Sequence, residues 1–348
     1  MHNDFSGLEI LGVLVALLIS LAILFRAQWI GETLGIIDRP DNVRKIHAHA
    51  TPLVGGLAMM VPLLLSAVAS LAWPIVADHA RIALAVLVCG GGAALVGLID
   101  DRSSTSPAAR LMALLALTVA ALVVSPQLLP AQFAWGHLEP THVSPWLAYV
   151  LVAIGMAGFV NAVNMADGQD GCVAGMFAIW SGCIILVSGG ASAGLAAVLF
   201  ATSLCVLAFN LRGAVFLGGA GAYGVTFVVG LLILHLHVDW GVTAETIIVW
   251  FFVPIVDCLR LMIARPLHGR SPFDGDRNHF HHRLHDRFGK NEGLAIYLGI
   301  VAASSLTAAL APGLAPSCLV ALAVVYAGLM WITTKSVDRA AAESLPRD

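Results

Sequence analysis

Charge is scarce in this sequence. Lysine, arginine, aspartate and glutamate make up 11% of its 348 residues, whereas a soluble domain usually carries about 25%. Basic blocks interleaved with aromatic residues are absent, which argues against nucleic-acid binding. The six cysteines form no CxxC pair, so neither a disulfide framework nor a thiolate metal site is indicated. An internal repeat is not evident either, so the inverted-repeat pattern of many secondary transporters is missing.

Apolar residues dominate instead. They make up 59% of the chain, which indicates a polytopic membrane protein embedded in the lipid bilayer. A helix needs roughly 20 apolar residues to cross the bilayer core. The sequence therefore predicts an all-α integral membrane protein of about eleven transmembrane helices, forming a single domain over residues 1–348. The candidate segments lie near 8–25, 53–73, 82–99, 108–124, 146–163, 172–188, 191–209, 222–237, 244–264, 293–311 and 315–332.

The few charges are distributed unevenly between the loops. Seventeen of the 18 lysines and arginines, all except Arg81, fall in alternate loops, which the positive-inside rule assigns to the cytoplasm. The first segment has no lysine or arginine before it and no clear cleavage site after it, so it is not predicted to be a signal peptide. We therefore predict that the N-terminus lies outside and the C-terminus in the cytoplasm.

Polar residues gather in four clusters on the predicted cytoplasmic side. The first cluster is the stretch "DRPDNVRKIHAHATPLVGG" at 38–56, which contains Arg44, Lys45 and His47. Cations at a membrane surface suit an anionic lipid headgroup. The alternative is a positive-inside anchor without a chemical role.

The second cluster is the pair Asp100 and Asp101, at the inner end of the third segment. Adjacent carboxylates at a membrane boundary repel each other and lose solvation. They indicate a bound cation, a proton-transfer role or a solvated helix end.

The third cluster, "NAVNMADGQDG", places oxygen-bearing side chains at every third position. On a helix this spacing would align two amides and two carboxylates along one stripe, which suits a hard cation or a sugar. Gly168 and Gly171 allow a tight turn or a close approach to a ligand. The four residues are Asn161, Asn164, Asp167 and Asp170.

The fourth cluster is a cytoplasmic loop at 265–292 that is rich in arginine and histidine. Zinc is one interpretation of its H-x-H-H pattern, but the neighbouring arginines favour a polyphosphate, bound through charge-assisted hydrogen bonds. His235 and His237, near the outer end of the eighth segment, have no predicted partners and are interpreted as structural. The candidate residues of the loop are Arg265, Asp276, Arg277, His279, His281, His282 and Arg283.

Together, these clusters suit the transfer of a phosphoryl group between a magnesium-bound nucleotide and a phosphorylated lipid. Such a reaction needs positioning and charge neutralisation more than covalent chemistry from the protein.

These motifs resemble those of the polyprenyl-phosphate N-acetylhexosamine-1-phosphate transferases, in the WecA/TagO-like branch of the superfamily that also contains the MraY enzymes. The resemblance spans nearly the whole chain. It is carried by the 38–56 stretch, by G-x-x-D-D ending at Asp101, by N-x-x-N-x-x-D-G-x-D-G ending at Gly171, and by D-R-x-H-x-H-H-R ending at Arg283. The histidine loop favours the WecA-like branch.

The resemblance implies an eleven-helix enzyme of the bacterial inner membrane with a cytoplasmic active site. It implies transfer of an N-acetylhexosamine-1-phosphate, by default N-acetylglucosamine-1-phosphate, from a UDP-sugar to undecaprenyl phosphate, with UMP leaving. The implied cofactor is Mg²⁺, with Mn²⁺ as the alternative ion. The implied catalytic residues are Asp100 and Asp101 at the lipid phosphate, Lys45 as its counter-charge, and Asp167 and Asp170, which also form the metal site.

The remaining candidates are assigned to substrate binding. The three loop histidines would hold the pyrophosphate, and Asn164 would contact the nucleotide-sugar. The full set is Arg44, His47, Asn161, Asn164, Asn210, Arg265, Asp276, Arg277, His279, His281, His282 and Arg283.

One position departs from the family pattern. Family members carry a G-D-x-G-S motif whose aspartate binds magnesium, but Gly219 stands at that place here and Ala222 replaces the serine. Asp167 and Asp170 are the candidates to compensate. A catalytically impaired or silent homologue is therefore one alternative, and a membrane transporter is another. The small-residue run "CGGGAALVG" also permits a homodimer.

Overall fold

The computed structural model describes residues 6–39, 50–72, 77–135, 138–271 and 278–343. Within these residues it confirms the predicted all-α membrane architecture, together with four short strands: β1 (Ile37–Asp38), β2 (Thr51–Pro52), β3 (Gln132–Trp135) and β4 (Leu138–His142). The helices are α1 (Gly7–Phe25), α2 (Ala27–Leu34), α3 (Gly55–Ala72), α4 (Ala77–Ala85), α5 (Gly91–Ser103), α6 (Pro107–Val124), α7 (Pro145–Ala166), α8 (Cys172–Val187), α9 (Gly190–Asn210), α10 (Thr226–Asp239), α11 (Ala244–Leu267), α12 (Phe280–Phe288), α13 (Lys290–Leu310) and α14 (Ala315–Glu343).

Each of the eleven predicted segments coincides with a helix. Ten helices among the described residues are long and apolar enough to cross a membrane. The exception is α8, which has 16 residues and is therefore about 24 Å long, less than the ~30 Å of a hydrocarbon core. Most of α8 is buried against other helices, so its apolar character reflects packing inside the bundle.

Burial separates a central helix from peripheral ones. The span Ala220–Asp239, which contains α10, is 89% buried, whereas the spans formed by α1 and α14 are each 17% buried. Large apolar side chains such as Leu18, Ile154 and Val324 point outward from the bundle. An apolar exterior of this extent fits lipid as the surrounding solvent.

Two π-helical segments, Val86–Gly90 and Ala220–Val225, interrupt long spans and were not predicted from the sequence. The first joins α4 to α5, and the second leads into α10. The hydrophobic pattern gave no sign of them, because one extra residue per turn barely disturbs the apolar periodicity of a buried helix. Such segments often occur at functional sites, and the second one begins directly beside Gly219.

Two histidines that were interpreted as having no partners, His235 and His237, both contact protein groups. His237 contacts the carbonyl oxygens of Val242 at 2.6 Å and Gln132 at 3.3 Å, and its ring stacks on Phe133 in β3. Nδ1 of His235 lies 2.8 Å from Oδ2 of Asp239. Both histidines therefore make specific contacts within the protein, and their structural role stays a prediction.

The small-residue run at 89–97 makes close helix-packing contacts within one chain. A Cβ at Gly90 would lie 2.6 Å from the side chain of Val228 in α10, and a Cβ at Gly97 would collide with the backbone of Gly219. These contacts let α10 and its preceding π-helical segment approach α5 closely. The run therefore no longer indicates a dimer contact, and the homodimer stays a prediction.

Candidate functional site

Among the described residues, parts of the second, third and fourth predicted clusters lie at one end of the bundle, here called the site end, where α5, α7, α9 and α11 terminate. Asp101, at the end of α5, accepts a hydrogen bond from the Gly219 N–H at 2.7 Å. Gly168, beyond the end of α7, packs against the imidazoles of His281 and His282. Residues far apart in the sequence thus form one polar region.

The paired carboxylates of Asp100 and Asp101 point in different directions, because successive residues on a helix are about 100° apart. Asp100 Oδ1 accepts hydrogen bonds from the Thr105 N–H and hydroxyl, both at 2.8 Å, and its Oδ2 pairs with Arg110 at 2.5 Å. Asp100 therefore stabilises the turn between α5 and α6. Asp101 faces the start of the π-helical segment before α10 and is the carboxylate of the pair directed at the other clusters.

Gly219 is locked in place by its neighbours. Its N–H binds Asp101, and a Cβ at this position would collide with the carbonyl group of Gly97. A second close approach, between Gly56 of α3 and Gly221, brings a third helix to the same point. The backbone of Gly219 thus contributes to the site, although its side-chain position is filled by α5.

The oxygen-bearing stripe predicted for residues 161–170 is only partly correct. Helix α7 ends at Ala166, so Asn161 and Asn164 lie on the helix while Asp167 caps its C-terminus and Asp170 belongs to the following turn. The side-chain Nδ2 of Asn161 contacts the sulfur atoms of Met165 and Cys258. The sequence pattern continued past the helix end and therefore did not reveal where the helix stops.

Three contacts fix the turn at 167–171. Asn210, at the end of α9, accepts a hydrogen bond from the Gly171 N–H at 2.6 Å and donates one to the Val215 carbonyl at 2.8 Å. Lys290 pairs with Asp170 at 2.6 Å. Gly171 has φ +84°, which a glycine adopts without strain. Asn210 and Asp170, predicted to bind substrate and metal, are thus both engaged with the protein.

Asp167 has an unusual electrostatic environment. Asp167 is exposed to solvent at the rim of the turn, although its carboxyl group has protein atoms nearby. Desolvation, together with the nearby carboxylates of Asp101 and Asp170, raises the pKa of Asp167 to about 7. A cation bound between these carboxylates would relieve the repulsion.

The donor set fits magnesium better than zinc. Among the described residues, no group of three or more His, Cys, Asp or Glu side chains is gathered as a metal cage, which leaves the zinc interpretation of the histidine loop without support. Mg²⁺ is commonly held by one or two carboxylates plus substrate phosphates and water. Asp101 and Asp167 supply such carboxylates, whereas Asp170 has Lys290 against one of its oxygens.

The arginine- and histidine-rich loop contains an unpredicted helix, α12, preceded by His279 as its N-cap residue. The rings of His279 and His281 stack with centroids 5.5 Å apart, and those of His281 and His282 lie 4.2 Å apart. Arg283 donates a hydrogen bond to the hydroxyl of Thr334 at 2.8 Å, which ties α12 to α14. The histidines therefore form a compact group beside the 167–171 turn.

Sequence reasoning missed the residues that support this loop. Asp257 and Arg260 of α11 form an ion pair at 2.8 Å, and Arg260 also donates to the carbonyl of Asn278 at 2.6 Å. Arg265, which was predicted, lies 3.5 Å from His279. The signal for Asp257 was present, because an acidic residue deep within the predicted span 244–264 is costly in lipid and is usually functional.

Five candidates, together with the residues around them, lie outside the described part of the chain. The strands β1 and β2 pair with each other, so Asp38 and Thr51, which flank the first of these stretches, lie side by side. The candidates outside the described residues are Arg44, Lys45, His47, Asp276 and Arg277.

Comparison with known proteins agrees with this architecture. The family model described as glycosyl transferase family 4 matches residues 83–237. A protein of Bacillus subtilis (strain 168), named probable undecaprenyl-phosphate N-acetylglucosaminyl 1-phosphate transferase, is 30% identical over 284 residues, covering 79% of this chain and 76% of the relative. A Yersinia pestis protein named undecaprenyl-phosphate alpha-N-acetylglucosaminyl 1-phosphate transferase is 30% identical, covering 77% and 74%.

A third relative, from Escherichia coli (strain K12) and with the same name as the Yersinia protein, is 29% identical over 75% of this chain and 72% of its own length. The fold defines the class of the protein: it is a membrane protein of many helices, with polar residues gathered at one end of the bundle. Within that class, the chain belongs to glycosyl transferase family 4, which confirms the resemblance drawn from its motifs.

Proposed function

We propose that this protein transfers N-acetylhexosamine-1-phosphate, with N-acetylglucosamine as the first candidate sugar, from a UDP-sugar to undecaprenyl phosphate. The names of the relatives support this activity. The observation that carries the proposal is the convergence of Asp101, Asp167 and the histidines of α12 at the site end. A site composed of carboxylates on one side and imidazoles on the other suits two anionic substrates bridged by a cation.

The reaction joins an oxygen of the lipid phosphate to the phosphorus attached to the sugar. The bond from that phosphorus to the bridging oxygen of the pyrophosphate breaks, and UMP leaves with the electron pair. The histidines and Arg265 would bind and orient the pyrophosphate. Asp101 would face the lipid phosphate and accept its proton where one is present, while Asp100 keeps the α5–α6 turn in place.

Magnesium fits the carboxylates of Asp101 and Asp167, with Mn²⁺ as the alternative ion. When bound, it would neutralise charge on the phosphates. Asp167 would hold one side of the ion, and the raised pKa of its carboxyl fits a group that is arranged to meet a cation. We further propose that the site end faces the cytoplasm of a bacterial inner membrane, where UDP-sugars are available.

The two alternatives gain no support. The silent-homologue hypothesis rests on Gly219, but magnesium accepts substrate phosphates and few protein ligands, and two carboxylates remain at the site. The transporter hypothesis needs polar groups lining the middle of several helices. Those candidate residues that the structure describes instead lie at or near helix ends, and the relatives are named as transferases.

The direct test is UMP release by purified protein supplied with UDP-N-acetylglucosamine, undecaprenyl phosphate and magnesium. Turnover should disappear with EDTA and return with added Mg²⁺ or Mn²⁺. Asp101→Asn should abolish turnover without unfolding the protein, whereas Glu139→Gln, an exposed carboxylate in β4, should not change it. No UMP release with any UDP-N-acetylhexosamine would reject the proposed activity.

A further inference from the structure

Asp257 is a buried carboxylate that accepts hydrogen bonds from four different groups. Its Oδ1 accepts from Arg260 at 2.8 Å, from the Phe280 N–H at 3.1 Å and from the Tyr326 hydroxyl at 3.0 Å. Its Oδ2 accepts from Nδ1 of His279 at 2.9 Å. The two oxygens therefore have separate tasks: Oδ1 joins three structural elements, and Oδ2 contacts an imidazole of the predicted substrate site.

The contacts of Oδ1 hold α12 in position. Phe280 is the first residue of α12, and the N–H groups of a helical first turn have no partner within the helix. A carboxylate at this place satisfies one such N–H and interacts favourably with the helix dipole. Through Arg260 and Tyr326, the same oxygen links the start of α12 to α11 and α14.

The contact of Oδ2 determines where His279 carries its hydrogen. An ionised carboxylate can only accept, so Nδ1 must be the donor. The opposite ring atom, Nε2, then lies beside Arg265. The ring also stacks on His281, which packs against Gly168 next to Asp167. A series of contacts thus leads from Asp257 to the carboxylate side of the site.

We propose that Asp257 is a positioning residue that fixes the Nδ1–H form and the orientation of His279, so that Nε2 and the neighbouring Arg265, 3.5 Å apart, together bind the pyrophosphate of the UDP-sugar. The identity of this ligand rests on the proposed function. When the ring carries a hydrogen on both nitrogens, Nε2–H donates a charge-assisted hydrogen bond to a phosphate oxygen while Nδ1–H remains bound to Asp257.

Asp257→Asn separates the two tasks of the carboxylate. The amide oxygen replaces Oδ1 and keeps the contacts with Arg260, Phe280 and Tyr326. The amide nitrogen replaces Oδ2 and donates to Nδ1 of His279, so the ring cannot carry both hydrogens without placing two donors against each other. Loss of a carboxylate partner behind a functional imidazole typically lowers activity by about 10- to 100-fold. We expect the kcat of Asp257→Asn to fall by a factor in that range, because charge develops on the leaving phosphate.

The structural contribution is measured beside the kinetics. Asp257→Asn should lower the melting temperature, because the partly buried Arg260 loses its counter-charge, but it should retain the hydrogen-exchange protection of α12. Asp257→Ala should lose that protection as well. The matched control is Asp239→Asn, which alters a carboxylate–imidazole pair with His235 at the far end of the bundle. This control should leave kcat unchanged.

A double-mutant cycle tests whether Asp257 acts through His279. In a His279→Ala background, Asp257→Asn should cause no additional loss of kcat, because the group on which it acts is absent. Wild-type kcat in the single variant, or an equal fold-loss in both backgrounds, would overturn the inference.

A spectroscopic measurement separates failure of this inference from failure of the proposed function. In nitrogen-15 spectra of histidine-labelled protein, His279 is identified by the resonances that vanish in His279→Ala. We expect a protonated Nδ1 in the wild type and a bare Nδ1 in Asp257→Asn. The same protonation pattern in both proteins would reject the positioning role even if the wild type releases UMP, and the expected change would sustain it even if UMP release fails.

Discussion

At the scale of single residues, the site combines groups that are held by the protein with groups that are left for ligands. Asp100 and Asp170 each have a cation of the chain against one oxygen, Arg110 and Lys290 respectively. Asp167 instead lies near other carboxylates. The sequence identified all three as polar residues of interest, but it could not distinguish them, because their partners are supplied by other helices.

The stability of the protein should depend on the charge of Asp167. Its pKa is about 7 in the folded protein, against 3.8 for an unperturbed aspartate. The folded state thus retains a proton that the unfolded state has lost, so the free energy of unfolding should fall as the pH rises from about 4 to about 7. Asp167→Asn removes this cost and should be more stable than the wild type at pH 8 in EDTA, with the difference narrowing towards pH 5.

Thermal unfolding in detergent at both pH values measures this effect, with Glu139→Gln as the control for an exposed carboxylate. Added Mg²⁺ should stabilise the wild type at pH 8 more than it stabilises Asp167→Asn. Equal melting temperatures for the wild type and Asp167→Asn at pH 8 would contradict the electrostatic strain assigned to this carboxylate.

At the scale of elements, hydrophobic length located the ten long apolar helices of the described residues, but the ends and crossings of helices needed the structure. The predicted stripe from Asn161 to Asp170 is interrupted because α7 stops at Ala166. Helix α12 was taken for a loop, since its nine residues include three histidines and two arginines. Its start is stabilised by Asp257, a residue of α11, so no local sequence pattern could predict it.

The crossing of α5 with the start of the α10 span should be intolerant of a side chain at Gly219. Gly219→Ala would press a Cβ into the backbone of Gly97, which cannot move without shifting α5. We expect a loss of about 1–3 kcal/mol in the free energy of unfolding, as for other overpacked interiors, and a lower melting temperature. Gly219→Asp, which would restore the aspartate of the family motif, would press its Cβ against the same backbone.

The matched control for this crossing is Gly158→Ala in α7, where an added Cβ meets nothing within 4 Å. It should retain wild-type stability, because alanine is a better helix former than glycine. Similar melting temperatures for the Gly219 and Gly158 variants would show that the close approach of the two helices is not required.

At the scale of the whole molecule, the positive-inside pattern predicts which side of the membrane receives the site end. In a variant lacking the native cysteines, a cysteine replacing the exposed Glu139 of the hairpin should react with an impermeant maleimide in intact spheroplasts. A cysteine replacing the exposed Arg287 of α12 should react only after the membrane is opened. The reverse pattern would invert the topology and place the site away from cytosolic UDP-sugars.

The sequence by itself determined the class of protein, because insertion into lipid depends on local apolar length, and a polar group in lipid is costly whatever surrounds it. It also supplied the chemistry of the site as four polar clusters. Only the tertiary structure decided their partners: Gly219 with Asp101 and His279 with Asp257. These contacts join residues on different helices, and which atoms meet depends on the close packing of those helices, which no local pattern encodes.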